Sequence, residues 1–185
     1  MEEEKKNVYS VWAMPPGAVR ERLKRVMEAL RSDFGGPEFD PHITLVGAIR
    51  LTESEALDKF RSACEDLKRA YSVQMKSVSS GTFFYQCVYL QLQPTPQVID
   101  VSAHCTGHFG YKSFTLKSIA YMPHLSLLYG DLTEEEKQRA KEKVEVLDSS
   151  LSSLTFDIDS IALCKTDTED KTLKSWEKIA LHRLD

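Results

Sequence analysis

One short pattern occurs twice in this chain, and it constrains the fold more than any other feature. Pro41-His42-Ile43-Thr44-Leu45-Val46 is followed by Leu51-Thr52-Glu53-Ser54-Glu55, and Pro123-His124-Leu125-Ser126-Leu127-Leu128 by Leu132-Thr133-Glu134-Glu135-Glu136. The two histidines lie 82 positions apart, and the threonines Thr52 and Thr133 lie 81 apart. Each copy reads as a strand carrying His-x-(Thr/Ser), a spacer, and a helix opened by a capping box, in which Thr and the Glu three residues on bond each other's backbone N–H groups. Strand, polar pair, spacer and cap recurring at one offset argue for an internal duplication.

The strand period of two sorts these residues by face. His42 and Thr44 share one side, their Cα atoms roughly 6.5–7 Å apart, while Ile43 and Leu45 face the other and can pack beneath a helix. The same holds for His124 and Ser126 against Leu125 and Leu127. If the two lobes face each other about a pseudo-twofold axis, two imidazoles and two hydroxyls converge on one cleft. That set suits a phosphodiester. A neutral imidazole can activate water, an imidazolium can protonate the departing oxygen, and hydroxyls can bond the non-bridging oxygens during in-line displacement. A single His-x-Thr on a strand would read as a structural or surface feature. Two copies flanked by core-like residues do not, because burying four polar groups without partners or purpose costs stability. Nothing in the sequence says which imidazole is base and which acid.

The remaining segments read as strands and helices in mixed order. A strand at Val8–Ala13 precedes a helix with Val19, Leu23, Val26 and Leu30 on one face, broken by Gly35-Gly36-Pro37. The first motif strand runs from His42 to about Ile49, and the helix after Thr52 buries Ala56, Leu57, Phe60, Ala63, Cys64 and Leu67. Tyr71–Val78 and Phe83–Leu92 form a hairpin turning at Ser79-Ser80-Gly81. Thr95-Pro96 opens a third helix reaching about Phe109. Gly110 to Met122 shows no period and is long for a loop, so it is expected to cover or shape a site. The second motif strand spans His124–Tyr129, with a fourth helix after Thr133 whose Glu/Lys run, Glu134–Glu145, reads as a solvated face. Leu154–Cys164 and Trp176–Leu184 form a closing strand pair, joined by a solvated turn at Thr166–Lys171. No Pro-, Gly- or Ser-rich linker divides the chain, and the order favours an α+β fold with antiparallel pairing, as one domain over residues 1–185.

Composition narrows the partners. A net charge of −4 argues against a grip on long nucleic acid, which draws its affinity from a basic face. A small nucleotide-like ligand and a monomer are expected instead, with no stable nucleic-acid complex. Met1–Lys6 is too charged for a signal peptide and no apolar run is long enough to span a membrane, so the expected location is cytoplasmic. Cys64, Cys87, Cys105 and Cys164 are scattered and read as buried free thiols. His104 and His108 stand four apart on a helix, but without an acidic or cysteine partner at a characteristic spacing they read as a surface pair. No metal centre and no cofactor are expected.

The paired motifs resemble those of the 2H phosphoesterase superfamily. More extended blocks resemble the plant cyclic phosphodiesterases of that superfamily over nearly the whole chain: Val8–Ala13, Met27–Ser32, Pro41-His42, Ser80–Phe84, Tyr121–Tyr129 and Ala162–Thr172. The resemblance implies a bilobal duplicated fold, with two antiparallel sheets facing a central cleft and helices on the outside. It implies metal-independent hydrolysis of ADP-ribose 1″,2″-cyclic phosphate to ADP-ribose 1″-phosphate, downstream of tRNA splicing. Nucleoside 2′,3′-cyclic phosphates, opened to 2′-phosphates, are implied as further substrates. His42 and His124 are the implied acid–base pair, with Thr44 and Ser126 on the phosphate. Plant relatives carry further cysteines near positions 111 and 182, where this chain has Tyr111 and His182, so no disulfide is carried over. Trp12, Tyr129 and Phe84 are aromatic candidates for stacking on a base or lining the cleft. Two other readings stay open: an RNA-end enzyme acting on 2′,3′-cyclic termini or 2′-5′ linkages, and a non-catalytic nucleotide- or RNA-binding module.

Overall fold

The computed structural model describes residues 4–110 and 122–185. Positions 111–121, most of the stretch expected to cover the site, lie outside the described residues. Eight strands are present among the described residues: β1 Lys6–Met14, β2 Ile43–Thr52, β3 Tyr71–Phe83, β4 Gln86–Leu92, β5 His124–Leu128, β6 Thr155–Ile158, β7 Ser160–Lys165 and β8 Glu177–Arg183. Four helices accompany them: α1 Gly17–Phe34, α2 Glu53–Glu65, α3 Pro96–His108 and α4 Glu134–Leu147. Both capping boxes form, Thr52 with Glu55 and Thr133 with Glu136, and Thr95 caps α3 ahead of Pro96.

The α+β class is as expected, but the two separate sheets are not. All eight strands belong to one sheet in the order β6-β3-β4-β5-β2-β1-β7-β8, antiparallel throughout. The reason lies in the motif strands, β2 and β5, which are adjacent and meet at a single register pair, Ile43 with Leu125. That narrow seam joins two four-strand halves. α1 and α4 pack on the β3-β4-β5 half, and α2 and α3 pack on the half containing β1 and β2.

The closing strand expected at Leu154–Cys164 is in fact two strands. β6 and β7 are separated only by Asp159, yet they stand six places apart in the sheet. Strands about 4.8 Å apart would put them roughly 29 Å apart in a flat sheet. The two Cα–Cα steps from Ile158 to Ser160 reach at most about 7.6 Å. The sheet therefore curls back on itself, and the chain switches halves at Asp159, as strands do at sheet corners. Hydrogen bonds from Leu184 N to Asp159 O and from Ala70 N to Asp185 O, both 2.9 Å, tie the far edge to this corner.

The β3–β4 hairpin also turns later than expected, at Phe84-Tyr85 rather than Ser79–Gly81. The register passes from Ser80–Val88 to Phe83–Gln86 with a shift between. Gly81 sits in that irregularity, where a Cβ would lie 2.1 Å from the Gln86 carbonyl oxygen. The glycine serves a close backbone approach, not a turn. On α4, Lys137 departs from the expected solvated face: it is buried, and its Nζ donates to the Gly81 carbonyl at 2.8 Å. The four cysteines are buried free thiols, as their spacing suggested. No helix among the described residues is long and apolar enough to cross a membrane.

Candidate active site

His42 immediately precedes β2 and His124 begins β5, so the seam between the halves is also where the two motifs meet. The antiparallel register that pairs Ile43 with Leu125 carries His42 beside Ser126 and Thr44 beside His124. All four line one cleft of about 320 Å³. Ile43, Leu45, Leu125 and Leu127 are buried in the core, as alternation requires.

Both histidines are held in the same way. His42 Nδ1 donates to the Asp40 carbonyl at 2.7 Å, and His124 Nδ1 donates to the Met122 carbonyl at 3.1 Å. A carbonyl can only accept, so Nδ1 carries the hydrogen in each ring and Nε2 is left for a ligand. In both cases the acceptor is two residues back, across a proline (Pro41 or Pro123) whose ring fixes φ. The repeated unit is therefore Pro-His-x-(Thr/Ser). Each ring also packs against an aromatic residue from the adjoining strand. Trp12 of β1 stacks on His42 at 3.6 Å and 9°, and Tyr89 of β4 meets His124 edge-on at 5.2 Å.

Burial sets the electrostatics. It pushes the His42 imidazole down to about 4, opposed by the Asp40 hydrogen bond and assisted by the proximity of His124. Burial lowers His124 as well, again against its backbone hydrogen bond. Two imidazoles in one cleft also discourage each other's charge, which favours neutral rings. Behind His42, the Asp40 carboxylate bonds Lys178 Nζ at 2.6 Å and Arg20 Nη2 at 2.8 Å. Half-burial opposes ionisation of Asp40, but these two cations outweigh it and hold the carboxyl below its usual range. The loop that presents the Asp40 carbonyl is thereby anchored to α1 and β8.

Ser126 Oγ donates to the Tyr85 carbonyl at 3.4 Å. Burial raises Tyr129 far above the phenol range, so it stays a neutral donor. Trp12 and Tyr129 line the cleft as expected, but Trp12 gives a face to His42 and Tyr129 stacks on Phe39 at 3.9 Å. Phe84 does not line it. The late turn puts Phe84 at the hairpin tip, against Tyr85 and Tyr129, and gives Phe83, Tyr85 and Gln86 to the wall.

Sequence reasoning missed the wall built from the β7–β8 connection. Thr166, Thr168 and Trp176 line the cleft, and Thr166 is buried with its Oγ1 2.6 Å from Ser10 Oγ. The supposed solvated turn is tied down: Tyr85 Oη donates to the Thr168 carbonyl at 2.7 Å and Trp176 Nε1 to the Asp167 carbonyl at 2.9 Å. One signal was available, since Cys164, Thr166 and Thr168 continue the alternation of β7 past its end. Among the described lining residues there is no Asp, Glu, Cys, Lys or Arg. The cleft therefore offers imidazoles, hydroxyls and aromatic walls, a set suited to an anion held by neutral donors and an imidazolium.

Residues 8–182 match the cyclic phosphodiesterase-like protein family. The chain is 54% identical over 184 residues to a cyclic phosphodiesterase of Arabidopsis thaliana, covering 100% of this chain and 99% of that one. It is 26% identical over 158 residues to a 2′,3′-cyclic-nucleotide 3′-phosphodiesterase of Yarrowia lipolytica, covering 66% of this chain and 73% of the relative. Among solved structures, E. coli LigT in its apo form superposes with a TM-score of 0.64 at 10% identity, over 98% of this chain and 99% of LigT. That likeness is one of fold.

Proposed function

The chain belongs to the cyclic phosphodiesterase-like family of the 2H phosphoesterase superfamily, a family of phosphoric diester hydrolases, and on that premise we propose that it opens ADP-ribose 1″,2″-cyclic phosphate to ADP-ribose 1″-phosphate and nucleoside 2′,3′-cyclic phosphates to 2′-phosphates. The observation that carries the reading is the matched pair of Nδ1-to-carbonyl hydrogen bonds, which leave two Nε2 atoms for one cleft.

The cyclic phosphate lies between the two motifs, its non-bridging oxygens accepting from Thr44 and from Ser126, whose hydroxyl turns to it from the long 3.4 Å contact with the Tyr85 carbonyl. One imidazole, neutral, takes a proton from water through Nε2 as the water oxygen bonds phosphorus. The other, protonated, gives its Nε2 proton to the ribose oxygen as that P–O bond breaks, O2″ in the ADP-ribose substrate and O3′ in the nucleosides. Negative charge building on the phosphoryl oxygens is met by the two hydroxyls and the imidazolium. The pair ends with its single proton on the other ring, and exchange with solvent resets it. Residues 1–185 act as one unit with one motif in each half-sheet.

Size supports a small substrate. A cleft of about 320 Å³ sits at the lower end of the roughly 300–1,000 Å³ usual for small-molecule sites. E. coli LigT has been solved with 3′-AMP, which makes a nucleotide a natural occupant for this fold. Purified protein is expected to hydrolyse ADP-ribose cyclic phosphate and nucleoside 2′,3′-cyclic phosphates in excess EDTA, with slower turnover of a short RNA bearing a cyclic end. A strict requirement for added metal ion would overturn the mechanism, and a preference for the RNA would overturn the substrate class.

A further inference from the structure

His104 and His108 share one face of the last turns of α3, their rings 4.6 Å apart. The fold supplies the partner that sequence spacing did not. Asp66, the C-cap of α2, comes to the same point, and one ligand atom from each of the three residues lies within 4.8 Å of the others. A second observation concerns the tautomer. His104 Nε2 donates to the Ala63 carbonyl at 2.9 Å, so Nδ1 keeps the ring's only lone pair. Metal-binding histidines are held by such a backbone contact on the opposite nitrogen, which orients the ring before the ion arrives. Both histidines are half-buried and Asp66 is exposed, leaving room for water ligands on the outer side.

We propose that Asp66, His104 and His108 form a binding site for a divalent transition-metal ion that clips the end of α2 to the end of α3. Two imidazoles and one carboxylate favour zinc, cobalt or nickel over magnesium or calcium, which prefer all-oxygen sets. The site is separate from the catalytic cleft. α3 lies on the face of β2 opposite Thr44, where Ser102 Oγ bonds the Leu45 carbonyl at 2.9 Å, and none of the three ligands lines the cleft. The ion stabilises the folded chain, because the unfolded chain does not bring Asp66 and the histidines together.

The test is zinc titration of EDTA-treated, desalted full-length protein, followed by calorimetry and thermal melting, with cobalt absorption reporting the ligand field. Zinc should raise Tm, while magnesium should not. His108→Ala and Asp66→Asn should weaken zinc binding by about tenfold or more and remove the Tm rise. Their metal-free melting and their turnover in EDTA should match the parent. His42→Ala should leave the zinc affinity unchanged. Parent-like zinc affinity in His108→Ala and Asp66→Asn would overturn the proposal, as would loss of binding in His42→Ala or no zinc binding by the parent. Cyclic phosphate turnover in EDTA is read separately, so failure of the metal site and failure of the catalytic reading give different results.

Discussion

At the scale of single residues, each catalytic candidate is defined by what fixes its ring rather than by the ring alone. A proline between each histidine and its carbonyl acceptor turns a flexible imidazole into one with a set tautomer. Burial then lowers both histidines, His42 to about 4, below the ordinary value of 6.5. The direction has a kinetic consequence. In the proposed mechanism turnover needs the pair to hold one proton, and the free enzyme holds it only between two apparent values that belong to the pair. With both rings depressed, the bell of kcat/KM, which reports the free enzyme, should peak below pH 6.5 and fall as the last proton leaves. A bound phosphate anion favours the imidazolium, so the kcat bell should peak at higher pH. Profiles measured on a nucleoside 2′,3′-cyclic phosphate check this, and coincident peaks above pH 7 would contradict it. The four motif residues were legible because alternation and repetition are sequence properties. Tyr85 and Trp176 were not, because their places depend on a turn at Phe84-Tyr85 rather than Ser79–Gly81 and on the curl of the sheet, while Thr166 and Thr168 were signalled only by the alternation of β7 running past its end.

Among the elements, the β3–β4 hairpin and the β7–β8 connection do most to shape the cleft after the motif strands. Gly81 allows β3 to pass close to Gln86, and Lys137 of α4 is bonded to its carbonyl. Gly81→Ala would drive a Cβ into backbone at 2.1 Å, so the strands must part. The expected cost is about 1–3 kcal/mol, as for other overpacked sites, with KM raised because Phe83, Tyr85 and Gln86 form the adjoining wall. Thermal melting and steady-state kinetics check both effects, and a variant with parent Tm and parent KM would contradict the role given to Gly81. The starts of α2, α3 and α4 were legible to the residue, since Thr52, Thr95 and Thr133 cap through local chemistry. The division of Leu154–Cys164 into β6 and β7 was not, because the break at Asp159 follows from a long-range change of partners and carries no turn signal.

For the whole molecule, the duplicated pattern led to an expectation of two sheets, and the strands instead form one. That union places the motifs side by side across a one-pair seam, so that both histidines and both hydroxyls line one cleft. The proposed catalytic set thus belongs to neither half alone. The central claim is that His42 and His124 exchange a proton with a phosphodiester, and it is tested most directly by measuring kcat and binding together. For His42→Ala and His124→Ala, kcat on a nucleoside 2′,3′-cyclic phosphate should fall by about 10²–10⁴-fold each. The Kd for the same ligand, measured under non-turnover conditions, should change by less than about tenfold, and the double variant should be little slower than either single one. A loss of affinity matching the loss of turnover, or near-parent kcat in either variant, would contradict the account.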